Sequence, residues 1–155
     1  MRLTLPLTAL LVLGLAACGS DADEAASNPI LTEGSDMAAA ESHYDSSAFD
    51  TIAWADQADA VARGEEMWRY ACVECHGPAG EGDGGFVEDG DTLRPPSFRV
   101  EGWRYADDKQ ALLHQIYVGT DREMPHWGLR RMHPRDMDAV ATYILEELSG
   151  PPAGS

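Results

Sequence analysis

The sequence contains one short motif whose residue types suit covalent cofactor attachment, Cys72-Val73-Glu74-Cys75-His76. Two thiols three residues apart lie close together on one helical turn, so both can add to vinyl groups of the same porphyrin. The next residue, a histidine, then lies beneath the iron and can supply an axial nitrogen. Cys-X-X-Cys-His is the attachment signature of c-type haem. The motif therefore predicts one covalently bound haem c, with Cys72 and Cys75 as thioether residues and His76 as an iron ligand.

Three other interpretations of the motif fit the sequence less well. A disulfide between Cys72 and Cys75 leaves the adjacent histidine unexplained. A redox-active Cys-X-X-Cys pair is expected after a strand, and no strand pattern precedes this one. A zinc site needs further ligands at suitable spacing, and the chain has only three cysteines in all.

Three helices are predicted to position these residues. They run from about Asp56 to Cys75, from about Asp107 to Val118, and from about Pro134 to a stop at Gly150-Pro151-Pro152. Proline is tolerated in the first turn of the last helix, and glycine is a typical stop after the middle one. The chain between residues 77 and 104 is rich in glycine and proline, and is predicted to be loop that lets the backbone pass close to the cofactor.

Residues 51–150 resemble a class I cytochrome c domain of the small bacterial type with a single haem. The matching stretches, in order, are Gly64-X-X-X-Trp68, Cys72 to Gly84, Pro95-Pro96-Ser97-Phe98, Met124-Pro125-His126-Trp127-Gly128 and Ala141-Thr142-Tyr143-Ile144. The resemblance implies an all-α fold, with three main helices and long loops wrapped around one covalently bound haem.

The resemblance also implies several contacts. The first and last helices are expected to cross, with a small residue meeting an aromatic one, and Gly64, Trp68 and Tyr143 fit that contact. The second ring nitrogen of the proximal histidine is expected to donate to a proline carbonyl, either Pro95 or Pro96. Three aromatic residues are candidates for hydrogen bonds to the haem propionates or for packing as a wall: Trp103, Tyr105 and Trp127.

Met124 is the best candidate for the sixth iron ligand. The full set of candidates is Met37, Met67, Met124, Met132, Met137, His43, His114, His126 and His133. Pro125 favours an extended backbone at Met124, on a segment bounded by Gly119 and Gly128, and such a strap can present one sulfur to a flat haem face. The resemblance selects the same residue. Histidine and methionine together raise the reduction potential relative to two imidazoles and leave no open position for a substrate.

The amino-terminal region predicts export. Residues 1–17 have a positive start and a short apolar run, as in a secretory signal peptide. Leu15-Ala16-Ala17-Cys18 resembles a bacterial lipobox, which implies that Cys18 is lipidated. Residues 18–50 are acidic, and are predicted to be a flexible tether because they offer little surface to bury. The haem domain then spans 51–150, and 151–155 form a disordered tail.

Charge limits the possible functions. The formal charge of −16 excludes a nucleic-acid binder that works by neutralising phosphates and argues against a polybasic membrane-surface protein. Mitochondrial cytochromes present many lysines around the haem edge, whereas this chain has one, Lys109. A redox partner is therefore expected to carry a basic docking patch. Adaptation to high salt is the other explanation of the acidity.

These observations predict a single-electron carrier, not an enzyme, with no small-molecule substrate. It is expected on the periplasmic side of the cell envelope, held to the membrane by its lipid, and exchanging electrons with membrane or periplasmic proteins of the respiratory chain. Two alternatives stay open. One is a haem peroxidase or gas-binding protein with an open sixth position, in which His126 acts as an acid/base group. The other is the cytochrome subunit of a larger oxidoreductase complex.

Overall fold

The computed structural model describes residues 35–121 and 123–151. The signal peptide, Cys18, the first part of the tether and the last four residues of the tail lie outside these ranges. The helices are α1 (Ser35–His43), α2 (Gln57–Ala71), α3 (Val73–His76), α4 (Lys109–Val118) and α5 (Pro134–Tyr143). A 3₁₀ turn (Ser46–Phe49), a π-helical turn (Ile144–Leu148) and a hairpin of β1 (Val87–Glu88) and β2 (Asp91–Thr92) complete the elements. None of the described helices has the length and apolar character needed to span a membrane.

The described part of the chain is mostly helical, as predicted, but it contains five helices rather than three. The three predicted helices correspond to α2, α4 and α5. The first of them ends at Ala71, four residues earlier than expected, because the backbone leaves helical geometry at Cys72 and a separate turn, α3, follows. Asp56 and Asp108 cap α2 and α4 with side-chain hydrogen bonds to backbone amides.

The predicted contact between the first and last helices is confirmed. Gly64 is buried where α2 crosses α5, and a Cβ at this position would lie 2.6 Å from the Cβ of Tyr143 and closer still to the carbonyl of Ala139. The ring of Trp68, one turn further along α2, is 2% exposed and has its centroid 6.2 Å from that of Tyr143. A glycine inside a helix costs about 1 kcal/mol relative to alanine. Here it allows the two backbones to approach closely.

Residues 35–50 are folded against the domain, which differs from the predicted tether. Ala40 and Phe49 are buried, and the ring of Tyr44 packs edge-on against His114 and Tyr117 of α4, with centroids 4.7 and 5.3 Å away. These few apolar side chains are enough to order the segment because they find partners about 70 residues away in sequence. Within the described residues, the contacts with the domain therefore extend back to α1 rather than starting at residue 51.

Candidate functional site

The predicted haem-binding residues surround one cavity of about 320 Å³. Cys72, Cys75, His76 and Met124 all line it. Most of the remaining wall is apolar and comes from α2, α4, α5 and the loops between them, including Trp68, Leu93, Phe98, Trp103, Ile116 and Val140. The fold thus brings two segments 48 residues apart in sequence to the same enclosed, apolar space.

The break between α2 and α3 places the two cysteines and the histidine together. The amide of Cys72 donates to the carbonyl of Trp68 at 2.9 Å, which completes the last turn of α2. The carbonyl of Cys72 accepts from the amides of Cys75 and His76 at 3.2 and 3.0 Å, which closes a new turn immediately afterwards. All three side chains therefore come from one tight turn at the cavity wall.

The thiols lack the properties of redox-active cysteines. They are not joined by a disulfide. Burial raises the pKa of Cys72 to about 12. The pKa of Cys75 is also raised, by burial first and then by the carboxylates of Glu74 and Glu88. A redox-active Cys-X-X-Cys pair depends on a lowered thiol pKa, so these surroundings do not favour that interpretation.

His76 is suited to binding a metal. Its ring packs against those of Phe98 and Trp68, with centroids 5.0 and 5.8 Å away. Burial lowers its pKa to about 4, so the imidazole is neutral and keeps a lone pair for coordination. Its Nδ1 atom is buried and has no hydrogen-bond partner among the described residues. A neutral, incompletely satisfied imidazole beside two thiols fits a haem iron ligand.

The hydrogen bond expected from His76 to a proline carbonyl is not formed. The carbonyl of Pro95 instead lies against Gly82, so closely that this position has no room for a Cβ. The amide of Gly82 donates to the carbonyl of His76 at 2.9 Å, and that of Gly84 to the carbonyl of Cys75 at 3.2 Å. The glycine-rich loop thus covers the last carbonyls of α3, which a helix cannot satisfy internally.

The Met124 strap, residues 119–128, is tied to the end of α4. Gly119 ends this helix with φ +73°, and its amide donates to the carbonyl of Gln115 at 2.8 Å. The amide of Gly128 donates to the carbonyl of Tyr117 at 3.0 Å, and Nδ1 of His126 contacts the carbonyl of Val118. The strap therefore satisfies carbonyls that every helix leaves free at its end.

Thr120 fixes the backbone of Met124 within this strap. Its hydroxyl accepts from the amide of Met124 at 2.9 Å, and its own amide donates to the carbonyl of Met124 at 3.0 Å. The side chain of Met124 is partly buried and packs against the core. These contacts hold the methionine at the cavity wall in one backbone conformation.

The structure reduces the nine candidates for the sixth ligand to two. Met132 lines the cavity as well as Met124. Met137 is fully buried elsewhere in the core, and Met67 packs on the core without lining the cavity. His114 pairs with Glu41 of α1 at 3.0 Å. Met124 remains the better candidate, since a dedicated strap presents it.

Four polar residues of the cavity wall were not predicted from the sequence: Arg104, Gln115, Thr120 and Glu123. Arg104 lies at the wall with its guanidinium 4.7 Å from the centroid of Tyr105, and suits an anionic group such as a haem propionate. Gln115 lies on the cavity-lining face of α4. Of the three aromatic candidates for propionate contacts, Tyr105 already donates its hydroxyl hydrogen to Gln115 at 2.8 Å. Trp103 and Trp127 line the wall.

Comparison with known proteins agrees with the geometry. Residues 59–144 match the protein family described as cytochrome c oxidase, cbb3-type, subunit III. The cbb3-type cytochrome c oxidase subunit FixP of Bradyrhizobium diazoefficiens is 31% identical over 84 residues, which cover 54% of this chain and 26% of that protein. The corresponding subunit CcoP of Azospirillum sp. (strain B510) is 28% identical over 90 residues, 58% of this chain and 29% of that protein. The chain thus spans less than a third of the length of these relatives. No solved structure matches it significantly.

Proposed function

Because the chain belongs to the family of cytochrome c oxidase, cbb3-type, subunit III, we propose that it is an electron-transfer cytochrome working with a terminal oxidase of this type. The observation that carries the proposal is the convergence of Cys72, Cys75, His76 and Met124 on one apolar cavity. The relatives are named as oxidase subunits. This favours a cytochrome subunit of a larger complex over the free carrier that the sequence first suggested.

Four residues would hold one haem c in this cavity. Cys72 and Cys75 would form thioethers, and His76 and Met124 would ligate the iron. When bound, the haem iron accepts and gives up one electron at a time. The chain supplies the surroundings: apolar side chains exclude water from the site, and burial keeps His76 neutral and able to coordinate. A methionine ligand and a dry pocket both raise the reduction potential, as suits donation to an oxidase.

The histidine expected to serve the peroxidase alternative does not reach the cavity. His126 does not line the cavity, and its Nδ1 atom is bound to the carbonyl of Val118. A general acid or base must reach the reacting group directly or through one water. In this structure His126 stabilises the Met124 strap instead, so it is not placed to serve as that acid/base group.

We also propose where the domain is held in the cell and what kind of surface its redox partner presents. A lipid on Cys18 would anchor the domain on the periplasmic side of the cell envelope. Near the attachment turn, Glu74 and Glu88 lie close enough to Cys75 to raise its pKa, so this edge of the site is acidic. A partner with a basic patch is complementary to it.

A second candidate, a lipid-anchored shuttle between respiratory proteins, is favoured by the lipobox-like residues before Cys18.

Copurification distinguishes the oxidase subunit from the shuttle. The full chain is tagged in its host, and membranes are solubilised in mild detergent at low and high salt. A subunit is recovered with oxidase polypeptides in fixed ratio at both salt concentrations. A shuttle is recovered alone at high salt, and its reduced form is oxidised by added oxidase-containing membranes at a rate that falls with salt. Failure of both copurification and oxidation would refute the proposed function.

A further inference from the structure

The amide of Gln115 joins three elements around the candidate iron ligand. Its Nε2 atom donates to the carbonyl of Gly119 at 2.8 Å and lies 3.8 Å from Sδ of Met124, within hydrogen-bonding distance for sulfur. Its Oε1 atom accepts from the hydroxyl of Tyr105 at 2.8 Å. The amide thus connects α4, the Met124 strap and the loop that carries Tyr105.

These partners fix the orientation of the amide. The carbonyl of Gly119 is only an acceptor, so the group facing it must be the NH₂ end of Gln115. The carbonyl end then faces the hydroxyl of Tyr105, which can donate. With one N–H directed to Gly119, the second N–H remains for Met124, whose thioether sulfur is a weak acceptor. The side chain is partly buried in the apolar wall, where a hydrogen bond is stronger than in water.

We propose that Gln115 is a positioning residue that holds the sulfur of Met124 and raises the reduction potential of the site. The inference rests on the proposed role of Met124 as an axial ligand. A thioether sulfur has two lone pairs, so it can bind iron with one and accept an N–H with the other. The hydrogen bond withdraws electron density from the sulfur. Ferric iron needs that density more than ferrous iron does, so the contact favours the reduced state.

The contact also restrains the ligand mechanically. The Met124 backbone is held by Thr120, and its sulfur is held by Gln115. Loss of the second contact leaves the side-chain torsions of Met124 free to move the sulfur away from the iron. With haem bound in the ferric state, Met124 would then be displaced more readily by an added ligand such as imidazole.

The test compares the holoprotein of Gln115→Leu with Gln110→Leu. Gln110 lies on the same helix and is exposed, so this control makes the same chemical change away from the cavity. In Gln115→Leu the ferrous-over-ferric equilibrium is expected to fall about threefold to tenfold, which is about 30 to 60 mV at 59 mV per decade. Imidazole affinity of the ferric form is expected to rise by a similar factor. Gln110→Leu is expected to match the wild type in both.

Two readouts separate this inference from the ligand assignment. The sulfur-to-iron charge-transfer band of the oxidised protein and the upfield methyl resonance of a bound methionine in the reduced protein report ligation directly. If the wild type shows both and Gln115→Leu keeps the wild-type potential and imidazole affinity, the role of Gln115 is refuted and the ligand assignment stands. If the wild type shows neither, the ligand assignment fails and the inference fails with it. Should Gln115→Leu retain too little haem, Gln115→Ala removes the same N–H without adding bulk or charge and is expected to lower the potential as well.

Discussion

Lys109, at the first position of α4, donates to the side chain of Asp138 of α5 at 2.9 Å and to the hydroxyl of Thr142 at 2.8 Å. Asp138 is 7% exposed and also accepts from the indole of Trp54 at 3.1 Å. The only lysine of the chain is therefore used to join two helices. Since α4 carries the Met124 strap and α5 lines the cavity beneath it, this pair helps to set the spacing across the haem site.

Lys109→Met is expected to destabilise the domain because it leaves the buried Asp138 carboxylate without its cation. Breaking a fully buried pair costs about 3 to 5 kcal/mol. Lys109 is partly exposed, so a loss of about 1 to 2 kcal/mol in the free energy of unfolding is expected after allowing for solvent screening. Chemical denaturation of the holoprotein measures it. Arg69→Met, which breaks the exposed pair with Glu65, is the control and is expected to cost less than about 0.5 kcal/mol. Equal losses of unfolding free energy in the two variants would show that the Lys109–Asp138 pair stabilises the domain no more than an exposed pair does.

Gly119→Ala is expected to loosen the Met124 strap. A Cβ at this position would lie 2.5 Å from the carbonyl oxygen of Met124 and 2.7 Å from that of Pro125. The strap must shift to make room, which weakens the sulfur–iron bond. Imidazole titration of the ferric holoprotein should show an increase in affinity of about tenfold or more, the factor that about 1.4 kcal/mol represents.

Gly102→Ala is the matched control for this change. Gly102 has φ +70°, close to the +73° of Gly119, but a Cβ there would meet no atom within 4 Å. Both variants carry the backbone strain of an alanine at positive φ, about 1 to 3 kcal/mol, and only Gly119→Ala also displaces the strap. An equal change of imidazole affinity in the two variants would attribute the effect to strain alone.

Covalent attachment is tested by replacing the cysteines singly and together. Haem should stay with the denatured wild-type polypeptide and with Cys75→Ser, which keeps one thioether and should show a pyridine haemochrome spectrum shifted to longer wavelength. The variant lacking both Cys72 and Cys75 should lose haem on denaturation. Cys18→Ser is the control: it should retain covalent haem but leave the membrane fraction. Haem bound covalently by the doubly substituted chain would contradict the assigned attachment.

The docked segment 35–50 makes a separate prediction. Tyr44→Ala removes the ring that packs on His114 and Tyr117. Loss of a partly buried aromatic contact of this kind should cost about 1 to 2 kcal/mol and expose residues 35–50 to protease. Limited proteolysis followed by mass spectrometry locates the cuts. Tyr70→Ala, at a tyrosine that is 82% exposed, should leave the cleavage pattern unchanged. Rapid cleavage within 35–50 in the wild type would restore the tether interpretation.

Much of the framework was predictable because its signals are local. The attachment motif is contiguous, Gly119 and Pro134 mark helix ends within one turn, and the small residue at 64 already indicated a close helix crossing. Each of these depends on neighbours in sequence or on a short repeat, which a single sequence displays directly.

The unpredicted features depend on contacts between distant residues. Residues 35–50 are acidic and rich in alanine, so their own composition gives no sign of the partners that Tyr44 and Phe49 find on the domain. Met132 reaches the cavity wall only because the chain turns between the strap and α5. In the sequence, Gln115 is one more polar residue of α4. Its role becomes visible only in the fold, where the Met124 strap lies against it. In each case the sequence did not show which distant residues would come into contact.

The measurement that tests the central claim most directly is the visible spectrum of the purified holoprotein. It is recorded in the oxidised state, in the reduced state, and in the reduced state with carbon monoxide. The wild type is compared with Met124→Ala and Met132→Ala. The wild type and Met132→Ala should show low-spin c-type bands, a sulfur-to-iron charge-transfer band when oxidised, and no response to carbon monoxide. Met124→Ala should lose that band and bind carbon monoxide. A carbon monoxide complex of the wild type, or loss of the band in Met132→Ala rather than in Met124→Ala, would contradict an electron-transfer site ligated by His76 and Met124.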